Sequence, residues 1–186
     1  MCIRDSTITQ TGGSTSVSES GTTDTFTIVL NAQPASNVVL TVTSGDTGEA
    51  TVSTGTLTFT SGNWNTPQTV TVTGVDDNII DGTVTSVITL SVVDAVTDDN
   101  FDAVANQTVS ATTADNDTAG FTVVESGGST SVSETGTTDT FTVVLNAQPD
   151  SDVVFIIASN DTGEATVTNA LTCLLYTSPS PRDLST

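Results

Sequence analysis

The sequence predicts an all-β protein: an immunoglobulin-like antiparallel β-sandwich, present as one complete repeat plus a truncated second repeat. Three observations carry this. Threonine fills 41 of the 186 positions, and a chain rich in threonine and valine suits pleated, half-buried strands better than helices. Hydrophobic residues alternate with threonine at a period of two, the spacing that puts every second side chain on one face of a strand. Segment 11–34 returns almost unchanged at 126–149, an offset of 115 residues, which is the size of a β-sandwich domain and too long for a solenoid unit.

Taken in order, Phe26, Ile28 and Leu30 share one face of a strand that ends before Gln33-Pro34. Ser44-Gly45-Asp46 marks the next turn, and Leu57 and Phe59 then point inward between outward threonines. Ser61-Gly62-Asn63 closes that strand, and Trp64, the only tryptophan, reads as a strand-edge packing residue. Val70 and Val72 alternate with Thr69, Thr71 and Thr73. After Asp81-Gly82 the pattern resumes in Ile88, Leu90 and Val92. Glycine, proline, asparagine and aspartate at these breaks supply the turn chemistry. Residues 94–106 read as one long polar connection, with Asp98, Asp99 and Asp102 as solvated charge. Seven or so short strands at this spacing make a sandwich.

The ends differ in composition. Met1, Cys2, Arg4, Cys173, Tyr176 and Arg182 are the only residues of their types and all lie near the termini. MCIRDS and CLLYTSPSPRD resemble one sequencing-adapter element translated from opposite strands. Residues 1–6 and 173–186 are therefore expected to be adapter-derived and are set aside from fold reasoning, and Cys2 and Cys173 are not read as a disulfide. The expected organisation is a complete repeat at 7–119 and a second at 120–172 that stops about halfway through its sandwich. Aligning 7–52 with 122–167 gives 33 identities in 46 positions. Half a sandwich cannot close its core, so Phe141, Val143, Leu145 and Phe155 are expected to lack cover.

Charge narrows the function. Two basic residues against 22 acidic ones and no histidine give −20. Nucleic-acid binding needs a basic face, and no apolar run is long enough to span a membrane as a helix. Serine and threonine have no histidine or lysine partner for nucleophilic catalysis, so no enzyme activity is expected. Most acids are singletons on polar faces, but Asp76-Asp77-Asn78-Ile79-Ile80-Asp81 and Asp115-Asn116-Asp117 are clusters. Crowded carboxylates must take up protons or a cation. With no Lys or Arg between 7 and 172, a metal is the strong counter-charge available, and an all-oxygen donor set selects Ca²⁺ over zinc or copper.

At these residues the sequence resembles the Calx-β domain family. Val17-Ser18-Glu19-Ser20-Gly21 resembles its opening acid, with the glycine one place nearer. Glu49 followed by Gly55-Thr56-Leu57-Thr58-Phe59-Thr60-Ser61-Gly62 resembles its middle signature. Val75-Asp76-Asp77-Asn78-Ile79-Ile80-Asp81 resembles its acidic run, and Asp115-Asn116-Asp117-Thr118-Ala119-Gly120 its closing motif. The resemblance implies a calcium site made by Glu19, Glu49, Asp76, Asp77, Asp81, Asp115 and Asp117 with the Ile79 carbonyl. Asn78 and Asn116 stand where the pattern has acids, Glu49 where aspartate is usual, and Val84 where a further acid occurs. Fewer negative ligands imply weaker or fewer ions.

The expected function is a calcium-binding structural repeat of a long extracellular, bacterial adhesin-like protein, stiffening a tandem array. Its partners are neighbouring repeats of the same chain, with a cell-surface glycan or protein as the array's target and no nucleic acid or membrane insertion. The competing readings are a calcium-independent acidic spacer and a glycan- or protein-binding module using the loops around Trp64 and 94–106.

Overall fold

A computed structural model describes residues 6–149, 151–168 and 171–173. The adapter-like ends lie outside this range apart from Ser6 and Cys173. The described residues form two compact units, one running to Asp77 and resuming at Asp81–Asn116, the other made of Asn78–Ile80 and the described residues from Asp117 onward.

The first unit is a two-layer sandwich. Its strands are β1 (Ser6–Gln10), β2 (Thr15–Ser18), β3 (Thr23–Leu30), β4 (Val38–Ser44), β5 (Ala50–Val52), β6 (Thr56–Phe59), β7 (Gln68–Gly74), β8 (Val84–Val92) and β9 (Gln107–Ala114). One sheet has the order β1-β3-β7-β5, the other β2-β9-β8-β4-β6. The alternation read from sequence is the burial pattern observed. Phe26, Ile28, Leu30, Leu57, Phe59, Val70, Val72, Ile88 and Leu90 are all buried in one core, and Trp64 packs half-buried against it.

The antiparallel expectation holds for every pair in this unit but one: β2 runs parallel to β9. The first extended stretch of the chain changes sheets, with β1 pairing β3 and β2 pairing β9. The change is made at Thr11–Gly13, where Gly12 and Gly13 have φ of 68° and 87°, a left-handed conformation that a residue with a Cβ avoids. Asp24 fixes the entry to β3, accepting hydrogen bonds from Ser16 N (2.9 Å) and Thr25 N (2.7 Å).

The long connection is not a solvated loop throughout. Phe101 is 1% exposed and belongs to the core, and Asp98 is 4% exposed. Asp98 Oδ2 accepts from Ala35 N (2.6 Å) and Ser36 N (3.0 Å), and Oδ1 from Asn100 N (3.0 Å) and Nδ2 (2.6 Å). These donors, the Asn100 N–H foremost, hold its carboxyl well below the usual carboxylate range. Asp98 therefore pins the connection onto the β3–β4 turn; only Asp99 and Asp102 keep the exposed position expected of the three.

The second unit holds two strand pairs: β10 (Phe121–Glu125) with β11 (Phe141–Leu145), and β12 (Val153–Phe155) with β13 (Leu171–Cys173), both antiparallel. Asn78–Ile80 joins it through an Ile79–Gln148 bridge, with Gln148 N donating to Asn78 O (2.7 Å). Phe121 meets Phe155 edge to face with ring centres 5.0 Å apart. Phe141, Val143, Leu145 and Phe155 are half-buried, whereas Phe26, Ile28, Leu30 and Leu40, their counterparts in the first unit, are buried. Val132, Val144, Val154 and Ile156 are exposed.

Candidate metal centre

One end of the first sandwich gathers acids from four chain segments. Thr15, Val17 and Glu19 occupy alternate inward positions and all are buried. The period of β2 thus carries a carboxylate into the end of the core, and Glu19 is only 1% exposed. Its backbone N–H continues the ladder to Ala114 O (3.1 Å), and its Oε2 accepts from Asn116 N (2.9 Å).

Glu49 enters from the turn before β5. Asp46 shapes that turn, its Oδ1 accepting from Gly48 N (3.0 Å) and its carbonyl from Ala50 N (3.1 Å). The Glu49 carbonyl accepts from Val75 N (2.9 Å) and Thr113 Oγ1 (3.2 Å), which ties the turn to the ends of β7 and β9. Gly74 makes the close approach possible: a Cβ placed there would sit 2.1 Å from Ser18 O. The third segment runs from β7 to β8 and brings Asp76, Asp77 and Asp81. Asp115 follows β9, accepting from Gly82 N at 2.8 Å, and Asn116 Nδ2 donates to Asp76 Oδ1 at 2.9 Å.

Carboxylate oxygens of Glu19, Glu49 and Asp81 all lie within 4.8 Å of one another. Two of these groups are buried and no basic residue exists between 7 and 172 to offset them. Two unit charges about 5 Å apart repel by roughly 3 kcal/mol at an effective dielectric near 20. Glu49 responds accordingly: burial first, then the negative charges of Asp81, Asp46 and Asp77, push its carboxyl up from 4.5 to about 6. A hydrogen bond with Asp81 acts in the same direction. A proton on Glu49 relieves the crowding at low pH. The donors are all oxygen, which fits a hard divalent ion and gives zinc or copper no nitrogen or sulfur.

Of the eight residues expected from sequence, the structure brings Glu19, Glu49 and Asp81 together. An oxygen of Asp115 comes within 4.8 Å of one of Glu19. Asp76 reaches the group through Asn116, and Asp77 through its charge on Glu49. Ile79 and Asp117 fall in the second unit. Two contributors were not among the expected residues. Asn116, read only as a missing acid, donates to Glu19 and to Asp76. Asp46 adds charge at Glu49; its recurrence as Asp161 in the second repeat was the available signal.

No family profile matches the chain, and no curated protein matches it in sequence. It is similar in structure to the Calx CBD1 domain in its apo form, at 14% identity over 60% of this chain and 98% of that one, TM-score 0.40. It is also similar to CBD12 from CALX1.2, at 12% identity over 79% and 76%, TM-score 0.40. The E. coli chaperone DraB matches at 6% identity over 63% and 60%, TM-score 0.44.

Proposed function

We propose that this chain is a non-catalytic, calcium-binding structural repeat of a long extracellular, bacterial adhesin-like protein, in which the ion stiffens one sandwich of a tandem array. The observation that carries the reading is the convergence of Glu19, Glu49 and Asp81, with two of the three carboxylates buried in a segment devoid of bases. Glu19, Glu49 and Asp81 would hold Ca²⁺, supported by Asp76, Asp77 and Asp115, and the family resemblance adds Asp117 and the Ile79 carbonyl. The ion supplies the counter-charge that the amino acids do not. Because its ligands come from strand ends far apart in sequence, ion binding favours the folded sandwich over the unfolded chain. Near-identical repeats in one chain support the array. No helix among the described residues is long and apolar enough to cross a membrane.

Thermal unfolding of the full chain, followed by Trp64 fluorescence, tests the proposal. Trp64 is the only tryptophan and packs on the first core, so it reports that unit alone. An ion at a hundred times its dissociation constant stabilises by about 2.7 kcal/mol. Millimolar Ca²⁺ should raise the midpoint above that in chelator, and Glu19→Gln with Asp81→Asn should abolish the rise. Identical melting with Ca²⁺ and with chelator would leave the acidic-spacer reading in its place.

A further inference from the structure

Strand β3 is held from both sides. β1 pairs with Phe26–Leu30 on one edge and β7 with Thr23–Ile28 on the other, so Thr23, Asp24 and Thr25 owe their ladder to β7 alone. In the second unit β10 pairs β11 in the same register as β1 pairs β3: Phe121↔Leu145 to Glu125↔Phe141 answers Ser6↔Leu30 to Gln10↔Phe26. Yet β11 is only Phe141–Leu145. Residues 138–140, the counterparts of 23–25 and identical to them, are not strand. The hydrogen-bonded ladder persists where a β1-type neighbour exists and stops where only a β7-type neighbour would continue it. Among the described residues, β11 pairs with β10 alone.

We propose that the open edge of β11 is an acceptor for an added strand, and that its occupant is an uncharged segment alternating valine and threonine, of the kind β7 supplies to β3. Three observations select this occupant. The pairing of β3 with β7 defines the match: Val70 lies opposite Phe26 and Gln68 opposite Ile28, and Phe141 and Val143 stand at the equivalent positions of β11. A donor valine opposite Phe141 would complete the kind of cross-strand aromatic–aliphatic pair that stabilises a sheet. Gln68–Gly74 carries no charge. A second whole copy approaches against a charge of −20 on each chain, whereas a neutral strand meets no such repulsion. Finally, the face to be covered is apolar and incomplete. Phe141 and Val143 are half-buried where Phe26 and Ile28 are fully buried. Backbone hydrogen bonds of an added strand supply affinity, and the alternating side chains supply specificity.

The test uses the full chain and a synthetic peptide with the sequence of residues 67–75. Amide hydrogen exchange is followed by mass spectrometry. Peptide should slow exchange at 138–143 by about tenfold or more, leaving 23–28 unchanged because β7 already occupies that edge. A peptide carrying Val70→Lys and Val72→Lys, and one of scrambled order, should have no effect. No slowing at 138–143, or equal slowing with the scrambled peptide, overturns the proposal. Protection of these amides by self-association of the chain, seen as a dimer in sedimentation, overturns the choice of occupant in favour of a second copy.

Discussion

Gly74 offers a sharp test of how the acidic end is assembled. Replacing it with alanine puts a Cβ 2.1 Å from Ser18 O and 2.7 Å from Ser18 C. Non-bonded carbon and oxygen do not approach closer than about 3 Å, so the ends of β2 and β7 must part by roughly 1 Å. Both sides of the contact are backbone, one in each sheet, and no flexible side-chain tip can yield. Overpacking costs about 1–3 kcal/mol, and this geometry places Gly74→Ala near the upper value. For a unit of about 100 residues that lowers the unfolding midpoint by on the order of 10–15 °C. Ser18 precedes Glu19, so the stabilisation proposed for Ca²⁺ should shrink as well. Gly55→Ala is the control, because nothing lies within 4 Å of its Cβ and its φ is not left-handed; its effect should stay within about 0.5 kcal/mol. Thermal and urea unfolding read by Trp64 fluorescence, with Ca²⁺ and with chelator, measure both variants. A Gly74→Ala protein as stable as Gly55→Ala would refute the close packing of the two strand ends.

Two further outcomes are expected. Glu49 is pushed up from 4.5 to about 6 in the folded protein, so the native state binds the extra proton. Its contribution is fully present below pH about 4.5 and is lost as pH rises through about 6. In chelator, wild type should therefore gain stability relative to Glu49→Gln on going from pH 7 to pH 5, and equal pH profiles in urea unfolding would exclude the crowding argument. Phe101→Ala, in a connection that reads as polar, should cost about 3–5 kcal/mol because its ring is buried in the core; a cost below about 1 kcal/mol would show that the connection is not a structural part of the sandwich.

Strand faces were legible because alternation is a local property: Phe26, Ile28 and Leu30 face the core as their spacing requires. Asp98 and Phe101 were not legible, since a long polar connection gives no sign that one carboxylate will receive the N–H groups of Ala35 and Ser36 from across the chain. The candidate site divides in the same way. Its acids could be named from clusters and family resemblance, but which of them converge depends on where strand ends meet.

The two repeats separate what each level decides. Asp24 accepts from Ser16 N and Thr25 N, and Asp139 from Ser131 N and Thr140 N, at the same distances of 2.9 and 2.7 Å. Gly12 and Gly127 share a φ near 67°. Near-identical sequence fixes these features because every partner lies within a few residues. Glu19 and Glu134 also share their neighbours from Gly12 to Ser18 and from Gly127 to Ser133, yet Glu19 is buried and Glu134 exposed. The walls around Glu19 are the turn before β5 and the ends of β7 and β9, some 30 to 97 residues away. Sequence alone determined the turns, the strand faces and the surplus of negative charge. Tertiary structure decided which carboxylates are buried together, because burial depends on strands that local chemistry does not supply.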